Sequence, residues 1–520
     1  MLLPMKRWLP IFVTALAAFA SASDFTLTVL HTNDMHARVE PTKVKGEFVG
    51  GYARQMTLIK KYMASDPNVL LINAGDTFQG TLFFNQYQGI ADLAYMNAAG
   101  YRAMTLGNHE FDKGPAVLAN FIKKAAFPVL AANLDVSQDA DLKGLVKPSC
   151  VVEVGGQKIG IVGAITDTLM SISSPGKNVR LKPLVSSIQT EIDAFTKAGI
   201  NKVIILTHIG YQEDLELATK LHDADLIVGG HSHTFLSDDE ILPFGKGFGG
   251  YPTKAKAADG KAVYVVQAHE WGKVLGRLKI TFDGAGNVTK VFDAKPIKVD
   301  ASIPEDPTIA AMVSAFNMPL AELKRKVVGE SPTGFANDGA RMKETPMGNV
   351  IADAMLAMTK NQGAQIALMN AGGIRSAIEP GLITFDAAIS VQPFTNTLVL
   401  LDLTGAELMA AFDFGLGETG EGSGGFLHTS KGVKVVFEPK KPAGSRVASI
   451  EIGGKKVLAT DTVRVVTNSF LAGGGDGHVE LKNATGKRLD TGYIDVDALV
   501  DYLLNHKPMT QSVEGRLVTK

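Results

Sequence analysis

Between Phe25 and about Asp300 the chain repeats one pattern. A short apolar run ends in Gly, Asn, Asp or His, and a longer stretch follows in which apolar positions recur every three or four residues. The runs TLTVL (26–30), NVLLI (68–72), AMTL (103–106), KIGIVGAI (158–165), KVIIL (202–206), DLIVG (225–229) and VYVVQ (263–267) are short and rich in Val, Ile and Leu. They read as buried strands. GYARQMTLIKKYMASD (51–66) and EIDAFTKAGI (191–200) supply helices between them. The pattern predicts an α/β domain over 24–303, its sheets covered by helices.

From 304 to 329 the text changes to a mostly helical connector broken near Pro319. A second α/β unit over 330–520 opens with a helix at GNVIADAMLAMTKNQ (348–362) and continues with strands at 364–370, 396–404, 434–438 and 462–468. Glycine clusters near 415–425 and 472–477 mark its loops. A chain of 520 residues is long enough for roughly two to four domains.

With 45% hydrophobic and 20% charged residues and a formal net charge of −1, the composition excludes a largely disordered acidic chain. It also gives no global electrostatic case for nucleic-acid binding, so an anionic ligand must be held locally. At the N-terminus Lys6 and Arg7 precede an apolar stretch from Trp8 to Ala20, followed by Ala20-Ser21-Ala22. That is the pattern of a Sec-type signal peptide over 1–22, cleaved after Ala22, and it is shorter than the roughly 20 apolar residues that span a bilayer. Cys150 is the only cysteine, which leaves no intrachain disulfide and no thiol at the cleavage site to carry a lipid. A soluble periplasmic or secreted protein with no stable membrane anchor after cleavage is expected. The oligomeric state is left open.

The polar residues that follow the apolar runs carry the chemistry. Asp34 and His36 follow the first run, Asp76 the second, Asn108 in GNHEFD the third, His208 the fifth, and His231 and His233 the sixth. Loops at the carboxyl ends of strands in an open α/β sheet meet in one crevice, so these groups can converge. A lone histidine in such a loop is ordinarily a hydrogen-bonded structural residue; the joint pattern argues otherwise. Mixed oxygen and imidazole donors suit Zn²⁺, Mn²⁺ or Co²⁺, and no thiolate is present for a structural zinc site. Seven candidates are too many for one tetrahedral ion, whereas two ions sharing a bridging carboxylate would use them all.

DxH, GDxxxG, GNHEFD, a strand ending in TH, and GHSH together resemble the motif set of the calcineurin-like binuclear metallophosphatases. With NAGGIR and FLAGGGDG in the second domain, the chain resembles the 5′-nucleotidase family, which includes bacterial periplasmic UDP-sugar hydrolases and eukaryotic ecto-5′-nucleotidase. The resemblance implies a four-layer αββα metallophosphatase domain, a helical linker and an α/β 5′-nucleotidase C-terminal domain. It implies two divalent ions, zinc first and manganese or cobalt as alternatives. Asp34, His36 and His233 would hold one ion, Asn108, His208 and His231 the other, and Asp76 would bridge them. Such a pair polarises phosphoryl oxygens and acidifies the attacking water. His109 would face the phosphate with Asp112 on its other ring nitrogen, stabilising developing charge or protonating the leaving oxygen. Glu110 is read as a surface or supporting carboxylate and His269 as structural.

In the second domain the resemblance places Arg341, Asn370 and Arg375 in the substrate pocket, Phe426 and Phe470 on either face of a nucleobase, and Asp476 on the ribose hydroxyls. A guanidinium grips an oxyanion bidentately, aromatic faces hold a flat base, and a carboxylate accepts from a diol. Asn337 stands where some bacterial relatives carry a basic residue, which weakens the case for a second phosphate. The connector becomes a hinge candidate, because a substrate reaching both domains requires them to close. The expected activity is hydrolysis of nucleoside 5′-monophosphates. The alternatives are broader action on UDP-sugars, NAD-type dinucleotides, or cyclic and 3′-nucleotides, a thiosulfate-ester-cleaving relative and, more distantly, a non-catalytic nucleotide-binding surface protein.

Overall fold

The computed structural model describes residues 24–417 and 422–520. The expected leader at 1–22 lies outside them. Two six-stranded sheets form the first domain. In one, Phe25–Thr32 runs parallel to Val69–Asn73, followed by Ala103–Thr105 and Val129–Leu130; on its other side Val274–Phe282 and Val288–Lys298 add antiparallel. The second sheet is ordered Thr253–Lys256, Ala262–Val266, Leu226–Val228, Val203–His208, Gln157–Ile165 and Ser149–Val154. It is parallel in the middle and antiparallel at both edges.

The sheets pack face to face. Leu27, Val29, Leu70 and Ile72 of the first share a core with Ile159, Ile161, Val203, Ile205 and Ile227 of the second. Leu184–Lys197 and Tyr211–Ala218 cover the second sheet through Ile188, Ile192 and Leu217. The opposite face of the first sheet, carrying Leu30, Leu71 and Met104, packs with residues of the helices Tyr52–Ser65, Ile90–Ala99 and Gly114–Lys124. The result is the predicted αββα stack. Each fully buried aliphatic side chain contributes about 1.5–3 kcal/mol, which is why the central strands read as unbroken apolar runs.

Several strands are not legible in the sequence, Val274–Phe282 and Val288–Lys298 the longest of them. Val274–Phe282 and Val288–Lys298 are rich in alternating polar residues, and the second is a largely solvent-facing edge. They carry no continuous apolar signature. The helix predicted at 191–200 begins earlier, immediately after Pro183.

A five-stranded sheet organises the second domain in the order Leu427–Thr429, Ile366–Asn370, Thr462–Asn468, Thr397–Thr404 and Arg488–Ile494. Pro346–Thr359 and Asp495–Asn505 share one of its cores through Val350, Met355, Val496 and Leu499. Gly405–Gly415 contributes Leu408 and Phe412 to the other. The connector holds the helix Pro307–Asn317, a 3₁₀ turn Met318–Leu320 containing Pro319, and the helix Ala321–Arg325. It is tied to the first domain: Tyr87 Oη donates to Phe316 O at 2.7 Å, and Lys324 pairs with Glu40. Among the described residues no helix is long and apolar enough to cross a membrane.

Candidate functional site

The three parallel strands Phe25–Thr32, Val69–Asn73 and Ala103–Thr105 end side by side, and Val203–His208 and Leu226–Val228 end in parallel across the sandwich. Their loops therefore meet. Asp34, His36, Asp76 and His233 bring one ligand atom each to within 4.8 Å of one another, and Asp76, His208 and His231 form a second such group. Asp76 belongs to both. His233 Nε2 is 3.2 Å from Asp34 Oδ1, and His208 Nε2 is 3.0 Å from Asp76 Oδ2.

The backbone is unusual at these positions. Asp34, His36, Asp76, His231 and His233 all have φ between 49° and 79°, a region that non-glycine residues rarely enter and that tends to collect at functional sites. Bonds between the loops hold it there. Asp34 N donates to Gly75 O at 2.9 Å, His36 N to Asp76 O at 3.0 Å, and His109 N to Asp76 Oδ1 at 2.9 Å. Gly107 has to be glycine, because a Cβ there would collide with the Asp76 carboxylate.

Donor chemistry shows that the cluster fits divalent ions. His36 Nδ1 bonds Phe78 O at 3.0 Å, His208 Nδ1 bonds Ala74 O at 2.7 Å, and His233 Nδ1 bonds the Glu270 carboxylate. Each ring is thus anchored through Nδ1 and turns Nε2 into the cluster, as second-sphere bonds do around metal-binding histidines. His36 Nε2 and His233 Nε2 face each other at 3.2 Å, and Arg375 Nη2 lies 3.3 Å from the same His36 Nε2, so positive charge gathers at this point. Asn108 Oδ1 is buried without a hydrogen-bond partner among the described residues, and His208 Nε2 faces the Asp76 carboxylate. Although burial opposes it, the carboxylates raise His208 to about 10, chiefly through Asp76, and His233 to about 9, chiefly through Asp34. The site demands positive charge.

His109 and Asp112 sit beside this cluster. Asp112 Oδ2 is 2.6 Å from His109 Nδ1, and His109 Nε2 is 4.0 Å from Asp76 Oδ2. Burial works against an imidazolium, but Asp112 and Asp76 outweigh it and raise His109 above its ordinary value. Glu110 is not a surface residue. It is buried and accepts from Asp76 N, Thr77 N, Phe78 N and Gly107 N at 2.7–3.1 Å, so it pins the loop that carries Asp76.

A cavity of about 470 Å³ opens from the cluster toward the second domain. Asp76, Asn108, His109, Asp112, His231 and His233 line one side; Arg341, Asn370, Arg375, Phe470 and Asp476 line the other. Asp34, His36 and His208 are buried. Asn370 Nδ2 donates to Asp476 Oδ2 at 2.7 Å, and Asp476 takes φ 52° in its glycine-rich turn.

Phe426 is not among the residues that line the cavity, although Gly424 and Gly425 beside it are. Its backbone N–H donates to Ser423 O and its carbonyl accepts from Ala371 N; its buried ring packs with Ala340 and Ala371 and edge-on to His428, away from the cavity wall. Phe414 lines the wall together with Phe470. Asn337 also lies off the wall and donates to Ile374 O at 3.1 Å. His269 packs on Phe235 and Phe244 with Nδ1 3.1 Å from His233 O, as a structural histidine does.

Sequence reasoning missed Glu270, Phe394, Phe414 and Ser173. Glu270 binds both His233 and Lys273 Nζ, the latter at 2.6 Å. Its neighbour His269, already read as a structural residue, was the available signal. Nothing in the pattern marks the other three.

Comparison with known proteins agrees with this geometry. The family model of calcineurin-like phosphoesterases matches residues 27–235, and that of the 5′-nucleotidase C-terminal domain matches 327–483. The chain is 38% identical to a 5′-nucleotidase of Diplobatis ommata over 97% of this chain and 92% of the relative. The crystal structure of a 5′-nucleotidase precursor from Thermus thermophilus superposes with a TM-score of 0.92 at 42% identity, covering 95% of this chain and 99% of that one. A Haemophilus influenzae NAD nucleotidase matches with a TM-score of 0.58 at 26% identity, over 96% and 100% of the two chains. The chain belongs to the 5′-nucleotidase family of metal-dependent phosphoester hydrolases.

Proposed function

We propose that the protein hydrolyses nucleoside 5′-monophosphates to nucleoside and phosphate. The observation that carries this reading is the single cavity that has the Asp and His cluster at one end and Phe470, Asn370 and Asp476 at the other. Asp34, His36 and His233 are assigned to one ion, Asn108, His208 and His231 to a second, with Asp76 shared; zinc is the first choice, manganese and cobalt the alternatives. Ions held there supply Lewis-acid polarisation of the phosphate and acidification of the attacking water.

The chain's own residues do the rest. Arg375 and Arg341 neutralise and orient the phosphate. His109, oriented by Asp112, delivers a proton to the leaving ribose oxygen from Nε2. Phe470 carries the base, and Asp476 accepts from the ribose diol with the oxygen that Asn370 does not occupy. Held in that way, the sugar has its 5′ carbon free to reach the cluster. Rotation of the second domain about the connector, assigned to 304–329, admits substrate. The leader-like pattern at 1–22 supports an exported protein.

The NAD nucleotidase relative gives some support to a broader second reading. The cavity argues for the narrower one: among the described residues its wall carries two arginines and no lysine, and Asn337 does not reach it. Phosphate release from 5′-AMP, 3′-AMP, cyclic 2′,3′-AMP, ATP, UDP-glucose and NAD tests both. The expected result is the highest kcat/KM for 5′-AMP. A better rate with 3′-AMP or the cyclic nucleotide would overturn the ribose orientation, and a better rate with UDP-glucose or NAD would favour the broader reading.

A further inference from the structure

Phe394 belongs to the second domain, in the segment between the helix Phe385–Val391 and the strand Thr397–Thr404. Its ring nevertheless stacks on the first domain's His109, with centroids 5.7 Å apart and planes 26° from parallel. The same ring carries the Arg375 guanidinium, whose Cζ lies 5.7 Å from its centroid. One residue along, Thr395 Oγ1 accepts from Lys113 Nζ at 3.2 Å. Residues 109–113 of one domain thus meet residues 394–395 of the other.

Two details make this seam specific. Thr395 has φ 57°, a left-handed conformation that is unfavourable for a β-branched residue and persists only where the surroundings enforce it. At the far end of the dyad, Ser173 Oγ donates to Asp112 Oδ1 at 2.7 Å, while Asp112 Oδ2 holds His109 Nδ1. The imidazole is therefore held at its edge by Asp112 and on its face by Phe394. Only the second hold comes from the other domain.

We propose that Phe394 is a positioning residue for His109, so that the dyad is fully oriented only when the second domain is seated against the first. The proposal rests on the assignment of His109 as the proton-transfer residue. An aromatic face attracts both an imidazolium and a guanidinium, so one ring also sets the spacing between His109 and Arg375.

Steady-state kinetics on the metal-loaded protein with 5′-AMP tests this in two backgrounds. Phe394→Leu is expected to lower kcat roughly 10-fold while KM moves less than about 3-fold, because the cost is misorientation and not lost binding. Phe394→Tyr, which keeps the ring, should restore kcat to within about 2-fold of the original. In a His109→Ala background Phe394→Leu should lower kcat no further, since a residue acting through His109 is not additive with it, and any cost through Arg375 should fall on KM. If Phe394→Leu does not fold, Phe394→Met decides the question in the same two backgrounds. Unchanged kcat, or an equal additional loss in the His109→Ala background, would overturn the positioning role. Full turnover by His109→Ala alone would instead overturn the dyad assignment beneath it.

Discussion

The two ends of the cavity are held in different ways. At the cluster, His36, His208 and His233 are each anchored through Nδ1, and Glu110 ties down four backbone amides around Asp76. At the end formed by the second domain the wall includes Gly372, Gly424, Gly425 and Gly477, and Phe414 is 43% exposed. Backbone comes close to the cavity-lining carboxylate there: a Cβ at Gly372 would lie 2.7 Å from Asp476 Oδ2, and one at Gly424 3.2 Å. Charge stabilisation needs donors fixed before the reaction, whereas admitting a flat base needs open space and few side chains.

The contrast makes mutations at the two ends behave differently. The largest effect is expected at the dyad. His109→Ala should retain its bound metal and lose roughly 10²–10⁴-fold in kcat, with a smaller loss for Asp112→Asn. Metal analysis alongside the kinetics checks this; loss of bound metal together with turnover, both restored by excess zinc, would make His109 a ligand and move it to the other side of the comparison.

Glu270→Gln sharpens the contrast at the rigid end. Removing the carboxylate behind His233 should weaken one ion by about 10–100-fold and leave the other in place. Calorimetric titration of the metal-free protein should resolve one weakened and one unchanged step. Equal weakening of both would show that Glu270 supports the fold and not His233.

A smaller effect is expected at the open end. Phe470→Ala should weaken kcat/KM for 5′-AMP by about 1–3 kcal/mol and spare a small aryl phosphate. Phe426→Ala should behave as a core truncation, costing about 3–5 kcal/mol of stability in a denaturant titration without discriminating between the two substrates. If Phe426→Ala discriminates as strongly as Phe470→Ala, its ring meets the base after all.

How far the sequence could be read follows from the same contrast. Asp34, Asp76, Asn108, His208 and His231 come directly after apolar runs, so parallel strands carry them to one place, and the αββα layers follow from those same runs. The edge strand Val288–Lys298 lacks a continuous apolar run because water covers part of it, and Val274–Phe282 beside it is interrupted by Arg277 and Lys279. In the second domain Phe426 and Phe414 are both aromatic residues near a glycine-rich loop; which ring turns outward depends on the bonds from Phe426 to Ser423 and Ala371, and spacing does not encode that. Phe394 meets His109 from a distant part of the chain, a contact that only the docking of two domains creates.

Reconstitution tests the central claim, that one chain joins a two-ion cluster to a nucleoside pocket. Protein stripped by a chelator is titrated with zinc, or in parallel with manganese, while bound metal and 5′-AMP turnover are followed together. Turnover should rise with the second bound ion and level off at two per chain. Full turnover with no ion bound, or with one, would contradict the account.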